Sequence, residues 1–134
     1  MKRVLLFLLT VLCISVRSYS QKISIKDLIG IWDQNVTSHA ATIIFDDTSR
    51  VRFSYKGHSG STKQYYYLFD NSQSPAILTV DYKENHKKHR NEYLVQLTDK
   101  NTMKLQVLHK NDDRTHFDEE DKSKLITLIR RLDL

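Results

Sequence analysis

Six histidines and a set of clustered aspartates are the residues of this 134-residue chain with the vocabulary for chemistry. "HKKHR" holds His86 and His89, and a His-x-x-His spacing would share one face of a helix and could hold a metal. On a hairpin tip the two rings do not converge. Lys87, Lys88 and Arg90 beside them repel a cation, and no nearby cysteine completes a ligand set, which favours a solvated tip over a metal site. His109 and His116 flank "KNDDRT", with Asp112, Asp113 and Asp118 close by, a pairing used in general acid–base work. No Ser, Thr or Cys nucleophile sits in a recognisable elbow or Gly-rich turn. "KGHSGST" lacks the glycine spacing and the Lys-Ser/Thr of a phosphate loop. The expectation is therefore a non-enzymatic protein without metal or cofactor.

The elements that position these residues begin after a targeting segment. Lys2 and Arg3 precede an apolar run from Val4 to Val16, and Ser18-Tyr19-Ser20 offers small residues for cleavage after Ser20. That run is short for a bilayer span, so residues 1–20 read as a signal peptide and residues 21–134 as one exported domain, secreted or periplasmic. No second apolar span follows. Without Lys2, Arg3 and Arg17 the domain has 18 basic residues against 16 acidic ones. A general nucleic-acid binder keeps a larger basic excess, so nucleic acid is not an expected partner. Cys13, the one cysteine, leaves with the signal. A domain without thiols has no disulfide and must be held by its core.

Downstream, the hydrophobic period is two. "ATIIFDD" puts Ile43 and Phe45 on one face, and "RVRFSYK" alternates Val51, Phe53 and Tyr55 with Arg50, Arg52 and Ser54. Asp47-Thr48-Ser49 between them is short and polar, as a tight hairpin requires. Residues 57–62 read as a loop. "KQYYYLFD" carries Tyr65, Tyr67 and Phe69 on one face, "DNSQSPA" is a turn, "ILTVDY" a strand and "KENHKKHRN" a charged hairpin tip. "EYLVQLT" and "NTMKLQVLHK" are joined at Asp99-Lys100. In the tail, β-branched Ile126, Thr127 and Ile129 favour a last strand over about 124–131. The competing helical reading rests on acidic residues at 118–121 followed by basic ones. About eight short antiparallel strands joined by hairpins predict an all-β, up-and-down barrel, since closure removes both edges. An open sandwich has the same strand count.

"DLIGIWDQN" adds a signature. Gly30-Ile31-Trp32 ahead of the first strand resembles the G-x-W that opens lipocalins. With "IIFDDTSRVRF", "YYYLFD", "ILTVDY" and "EYLVQLTDKNTMKLQ", the chain resembles the small lipocalin-like domains of bacterial secreted proteins over most of 24–131. The resemblance implies that Trp32 packs across the closed end of the barrel, with a basic side chain of the last strand over its ring. Arg130 and Arg131 are the candidates, and strand parity allows one of them. Gly30 lets neighbouring backbone approach closely.

Function follows from the interior. Phe45, Phe53, Tyr55, Tyr65, Tyr67 and Phe69 share the inward face and would line a pocket for a small hydrophobic molecule, or fill it as a dry core. The alternative is a filled barrel acting as an exported interaction or inhibitor module through charged loops 57–62, 83–91 and 110–122.

Overall fold

The computed structural model of the protein describes residues 22–34, 41–55 and 63–132. Eight strands follow one another around a closed barrel: β1 (Gly30–Gln34), β2 (Ala41–Phe45), β3 (Arg50–Tyr55), β4 (Lys63–Asp70), β5 (Ala76–Glu84), β6 (Lys87–Asp99), β7 (Thr102–Leu108) and β8 (Leu125–Arg130). Every neighbouring pair is antiparallel, and β8 returns to β1 with Trp32 opposite Arg130. The up-and-down barrel read from the alternation is thus the observed architecture, and the open sandwich is excluded.

The period of two explains which face points inward. Trp32, Ile43, Phe45, Val51, Tyr67, Leu78, Val80, Val95, Met103, Leu105 and Leu128 all have inward parity and form the buried core. Burial of each large apolar side chain contributes roughly 1.5–3 kcal/mol, so this single cluster is the main source of stability. No helix among the described residues is long and apolar enough to cross a membrane.

Local chemistry sets the connections. Between β2 and β3, Asp47 Oδ1 accepts from the backbone N–H of Ser49 and of Arg50, each at 2.8 Å. Between β5 and β6, Asn85 and His86 both have positive φ, 50° and 64°. That is the two-residue turn whose twist matches the flanking strands. The charged tip foreseen for "KENHKKHRN" is therefore only Asn85-His86. Lys83, Glu84 and Lys87 to Arg90 continue the ladder, because alternating side chains can be solvated on an extended hairpin as well as in a loop. The tail strand is Leu125–Arg130, preceded by a 3-10 turn at Lys122–Lys124.

Segment 109–121 lies over the outside of the barrel. Leu94, Gln106 and Leu108 have outward parity yet are buried. Asp118 N–H donates to Gln106 Oε1 at 2.6 Å, and the Arg114 guanidinium forks onto Glu92 at 2.7 and 2.9 Å. Lys104 pairs with Glu119 and lies 4.5 Å from the Phe117 ring centre.

Candidate functional site: the barrel interior

One end of the barrel is closed from the N-terminal side. Ser24 starts a 3-10 turn, Ile25–Leu28, with a capping box: its N–H donates to Asp27 Oδ2 at 2.7 Å and its hydroxyl accepts from Lys26 N–H at 3.3 Å. The turn delivers Leu28, fully buried, beneath Trp32. Trp32 Nε1 donates to the Leu28 carbonyl at 2.8 Å, so the indole is both packed and satisfied.

Arg130 locks this end. Its guanidinium carbon lies 4.2 Å from the Trp32 ring centre. Its nitrogens donate to the carbonyls of Ile29 at 2.8 Å, Asp27 at 2.5 Å and Lys100 at 3.2 Å. One side chain thus joins the 3-10 turn, the β6–β7 turn and the last strand. Gly30 has φ +136°, and a Cβ there would meet Arg130 Nη1 at 3.0 Å. Arg131 takes the opposite face by strand parity. It forks onto Asp33 on the outside, at 2.7 and 2.8 Å, and its backbone N–H donates to the Ile31 carbonyl at 2.8 Å.

Above this floor the rings divide into two groups. Phe45 and Tyr67 are buried and meet edge to face at 5.2 Å. Tyr67 Oη donates to the Asp47 carbonyl at 2.7 Å. Burial, with Asp47 nearby as a smaller contribution, pushes the phenol up to about 12, so it remains a neutral donor. Phe69 packs against the same core. Tyr67 and Phe69 therefore fill the closed half.

The other half is hollow. A cavity of about 180 Å³ is lined by Gln34, Ala41, Ile43, Phe45, Phe53, Leu78, Tyr93, Leu105, Val107, Ile126 and Leu128. Of the six aromatic residues expected inside, Phe45 and Phe53 border it. Tyr65 has inward parity opposite Val51, packs against the core and edge-on to Phe53 at 5.4 Å, and also borders a groove beside β5. Tyr55 ends β3, and its side chain is outside the described set, as are residues 56–62 and so the whole of loop 57–62. The lining from β5 to β8 was equally accessible to parity reasoning. Leu105, Val107, Ile126 and Leu128 alternate in the sequence as clearly as the tyrosines, but carry no aromatic signal.

The histidine clusters do not converge on a site. His86 is a turn residue, whereas His89 stacks on Tyr82, their rings 5.0 Å apart and 16° from parallel. His116 Nδ1 lies 2.6 Å from Thr115 Oγ1 and 3.2 Å from Asp113 Oδ2. The same Asp113 accepts from the Thr115 hydroxyl and then from its N–H, which with His116 holds its carboxyl down to about 2. This is the hydrogen bonding of a local turn, on an exposed loop. His109 donates its backbone N–H to Asp112. No group of three or more His, Cys, Asp or Glu among the described residues could hold a metal.

Comparison with known proteins finds no matching family model, no matching curated protein and no matching solved structure. The architecture alone carries the likeness. A closed, eight-stranded, up-and-down antiparallel barrel is consistent with the lipocalin-like class.

Proposed function

We propose that the protein is an exported, non-enzymatic lipocalin-like carrier that holds a small hydrophobic group in the open half of its barrel. The observation behind this reading is the 180 Å³ cavity, bordered mainly by apolar side chains, with Gln34 and Tyr93 as polar exceptions. An apolar cavity of about 150 Å³ is known to stay dry and accept benzene, so this volume suits one ring or a short alkyl chain. About six buried methylenes would contribute ~5 kcal/mol before ordering costs, a sub-millimolar affinity at best. Tyr67 and Phe69 act as packing beneath the ligand, and Phe53 is the ring beside it.

The interaction-module reading is less well supported. Within 110–122, Asp112 binds Lys124 at 3.1 Å, Arg114 binds Glu92 and Asp118 binds Gln106, all internal bonds that hold the segment onto the barrel.

Decanol, followed through the methyl resonances of Leu105, Ile126 and Leu128, tests the carrier reading. Ala41→Phe fills the cavity from its rim and should abolish the decanol shifts while the protein stays folded. Wild-type protein that shows no saturable shift at those methyls refutes the carrier and leaves a filled barrel.

A further inference from the structure

The β5–β6 hairpin outlasts its neighbour. The ladder between β4 and β5 ends at the pair Tyr66 and Asp81. On its other side β5 stays paired to β6, Tyr82 with His89, Lys83 with Lys88 and Glu84 with Lys87. Residues 82–84 therefore form an edge, about 10 Å long at the rise of an extended strand. A groove of about 890 Å³ wraps this edge. Its lining includes Tyr65, Tyr82 and His89 from the inward face and Tyr66, Lys83 and Lys88 from the outward face. It thus opens through the sheet where β4 and β5 part.

The turn decides which backbone groups face the groove. In a two-residue hairpin the residues flanking the turn, here Glu84 and Lys87, exchange both backbone bonds, and the next pair exchanges none. Lys83 belongs to that next pair, so its N–H and carbonyl point away from β6, towards the lane that β4 has left. Asp81, two residues back, has the same orientation and there meets Tyr66. Lys83 has no such neighbour in the ladder among the described residues. One donor and one acceptor are therefore open to an added antiparallel strand.

The two faces of the edge differ in chemistry. On the outward face Lys83 and Lys88 stand opposite each other, and among the described residues neither forms an ion pair. Asp81, on the same face, is held by Arg90 in a two-bond fork at 2.7 and 3.0 Å. On the inward face Tyr82 stacks on His89, ring centres 5.0 Å apart, and meets Tyr65 edge to face at 5.4 Å. A strand added beside β5 sends successive side chains to opposite faces. The residue opposite Lys83 falls on the lysine face and its two neighbours on the ring face. A second copy of the chain is disfavoured there, because symmetric antiparallel pairing over residues 82–84 sets Lys83 against Lys83. An acidic residue in the same place is attracted by both lysines.

We propose that the β5 edge captures an extended acidic segment of a partner protein, with a glutamate or aspartate opposite Lys83 and apolar residues on either side of it. The Lys83 N–H and carbonyl bond the backbone of that residue. Lys83 and Lys88 hold its carboxylate, and Tyr65 with Tyr82 covers an apolar neighbour. The site lies outside the interior cavity, so it stands or falls apart from the carrier reading.

A blocked pentapeptide of sequence Thr-Val-Glu-Val-Thr, titrated into isotope-labelled protein, tests it. The Lys83 amide should shift saturably, and its hydrogen exchange should slow on binding. Lysine in place of the peptide's glutamate should weaken binding at least about tenfold. N-methylation of that glutamate removes the N–H that bonds the Lys83 carbonyl and should abolish binding. Lys83→Gln with Lys88→Gln should cost the glutamate peptide about fivefold, and added salt should weaken it. Lys83→Pro removes an N–H that serves no bond to β6, so the melting temperature should hold while the peptide is lost. Ala41→Phe should leave peptide affinity unchanged. A steep fall in the melting temperature of Lys83→Pro overturns the edge geometry, and equal affinity for the glutamate and lysine peptides overturns the acidic selection. Shifts at Leu105, Ile126 and Leu128 in place of Lys83 overturn the edge as the site. Shifts at 82–84 that grow with protein concentration alone make the occupant a second copy. Absence of a saturable shift at Lys83 overturns the proposal outright.

Discussion

Gly30→Ala strikes the closed end of the barrel in two separable ways. A φ of +136° is a backbone conformation that L side chains rarely adopt, and holding alanine there costs about 1–3 kcal/mol. The new Cβ also arrives 3.0 Å from Arg130 Nη1, a nitrogen anchored by its 2.8 Å bond to the Ile29 carbonyl. For the guanidinium to give way, part of its contact with Trp32 and part of that charged hydrogen bond must be lost, about 1 kcal/mol in all. The expected loss is therefore about 2–4 kcal/mol. For a domain of this size that is a fall in melting temperature of roughly 10–20 °C. Arg130→Met removes the obstructing nitrogen together with its own bonds and should destabilise by about 2–3 kcal/mol. In that background Gly30→Ala retains only the backbone strain, and its cost should shrink by about 1 kcal/mol. Urea unfolding of the two single variants, the double variant and the wild type measures this difference directly. Strict additivity would show that Gly30 and Arg130 do not act together, and a Gly30→Ala protein as stable as wild type would refute the strain as well. Arg131→Ala is the matched control: its surface pair with Asp33 should be worth less than about 1 kcal/mol.

Three further outcomes follow from other contacts. Tyr67→Phe deletes the hydroxyl that donates to the Asp47 carbonyl and should lower stability by about 1 kcal/mol, read by urea midpoint, without altering decanol binding. Asp47 is held at about 2, from an ordinary 3.8, first by the Ser49 N–H and then by the Arg50 guanidinium. Its folded value is depressed, so its stabilising contribution is complete above about pH 4 and disappears as pH falls towards 2. Unfolding midpoints from pH 5 to pH 2 should thus fall less steeply for Asp47→Asn than for wild type. Gln106→Leu removes the acceptor for Asp118 N–H, and hydrogen exchange should accelerate across 109–121 while the core of β6 and β7 stays protected.

Much of the barrel was readable from alternation because its strands bury one face only. The β2–β3 hairpin is the clearest case, since Ile43, Phe45, Val51 and Phe53 alternate without interruption and Asp47 supplies the turn. The β5–β6 hairpin tip was misjudged because solvated lysines and histidines look alike on a loop and on a projecting ladder. Only the Asn85-His86 turn marks the true tip. At the closed end, the resemblance named two arginines and parity allowed one. Which one followed only from the β1–β8 register, a pairing across about a hundred residues that no local pattern encodes. The candidate cavity was legible as to side chains with inward parity. How far rings from opposite walls meet is a matter of barrel geometry, and Phe45 with Tyr67 closes one half while Phe53 leaves the other open. The groove was invisible for a related reason: it exists where β4 and β5 cease to pair.

The bond from Arg130 to Ile29 spans 101 positions in the chain, and β1 meets β8 through three residue pairs where β5 meets β6 through nine. During synthesis the first seven strands can pair in order while both outer strands, β1 and β7, still expose their backbone. The ring shuts only when β8 emerges and inserts between them. Until that moment the nascent chain is an open sheet with two templates for wrong pairing. Holding the chain apart from other nascent copies matters most in that interval, which ends when Arg130 reaches Trp32.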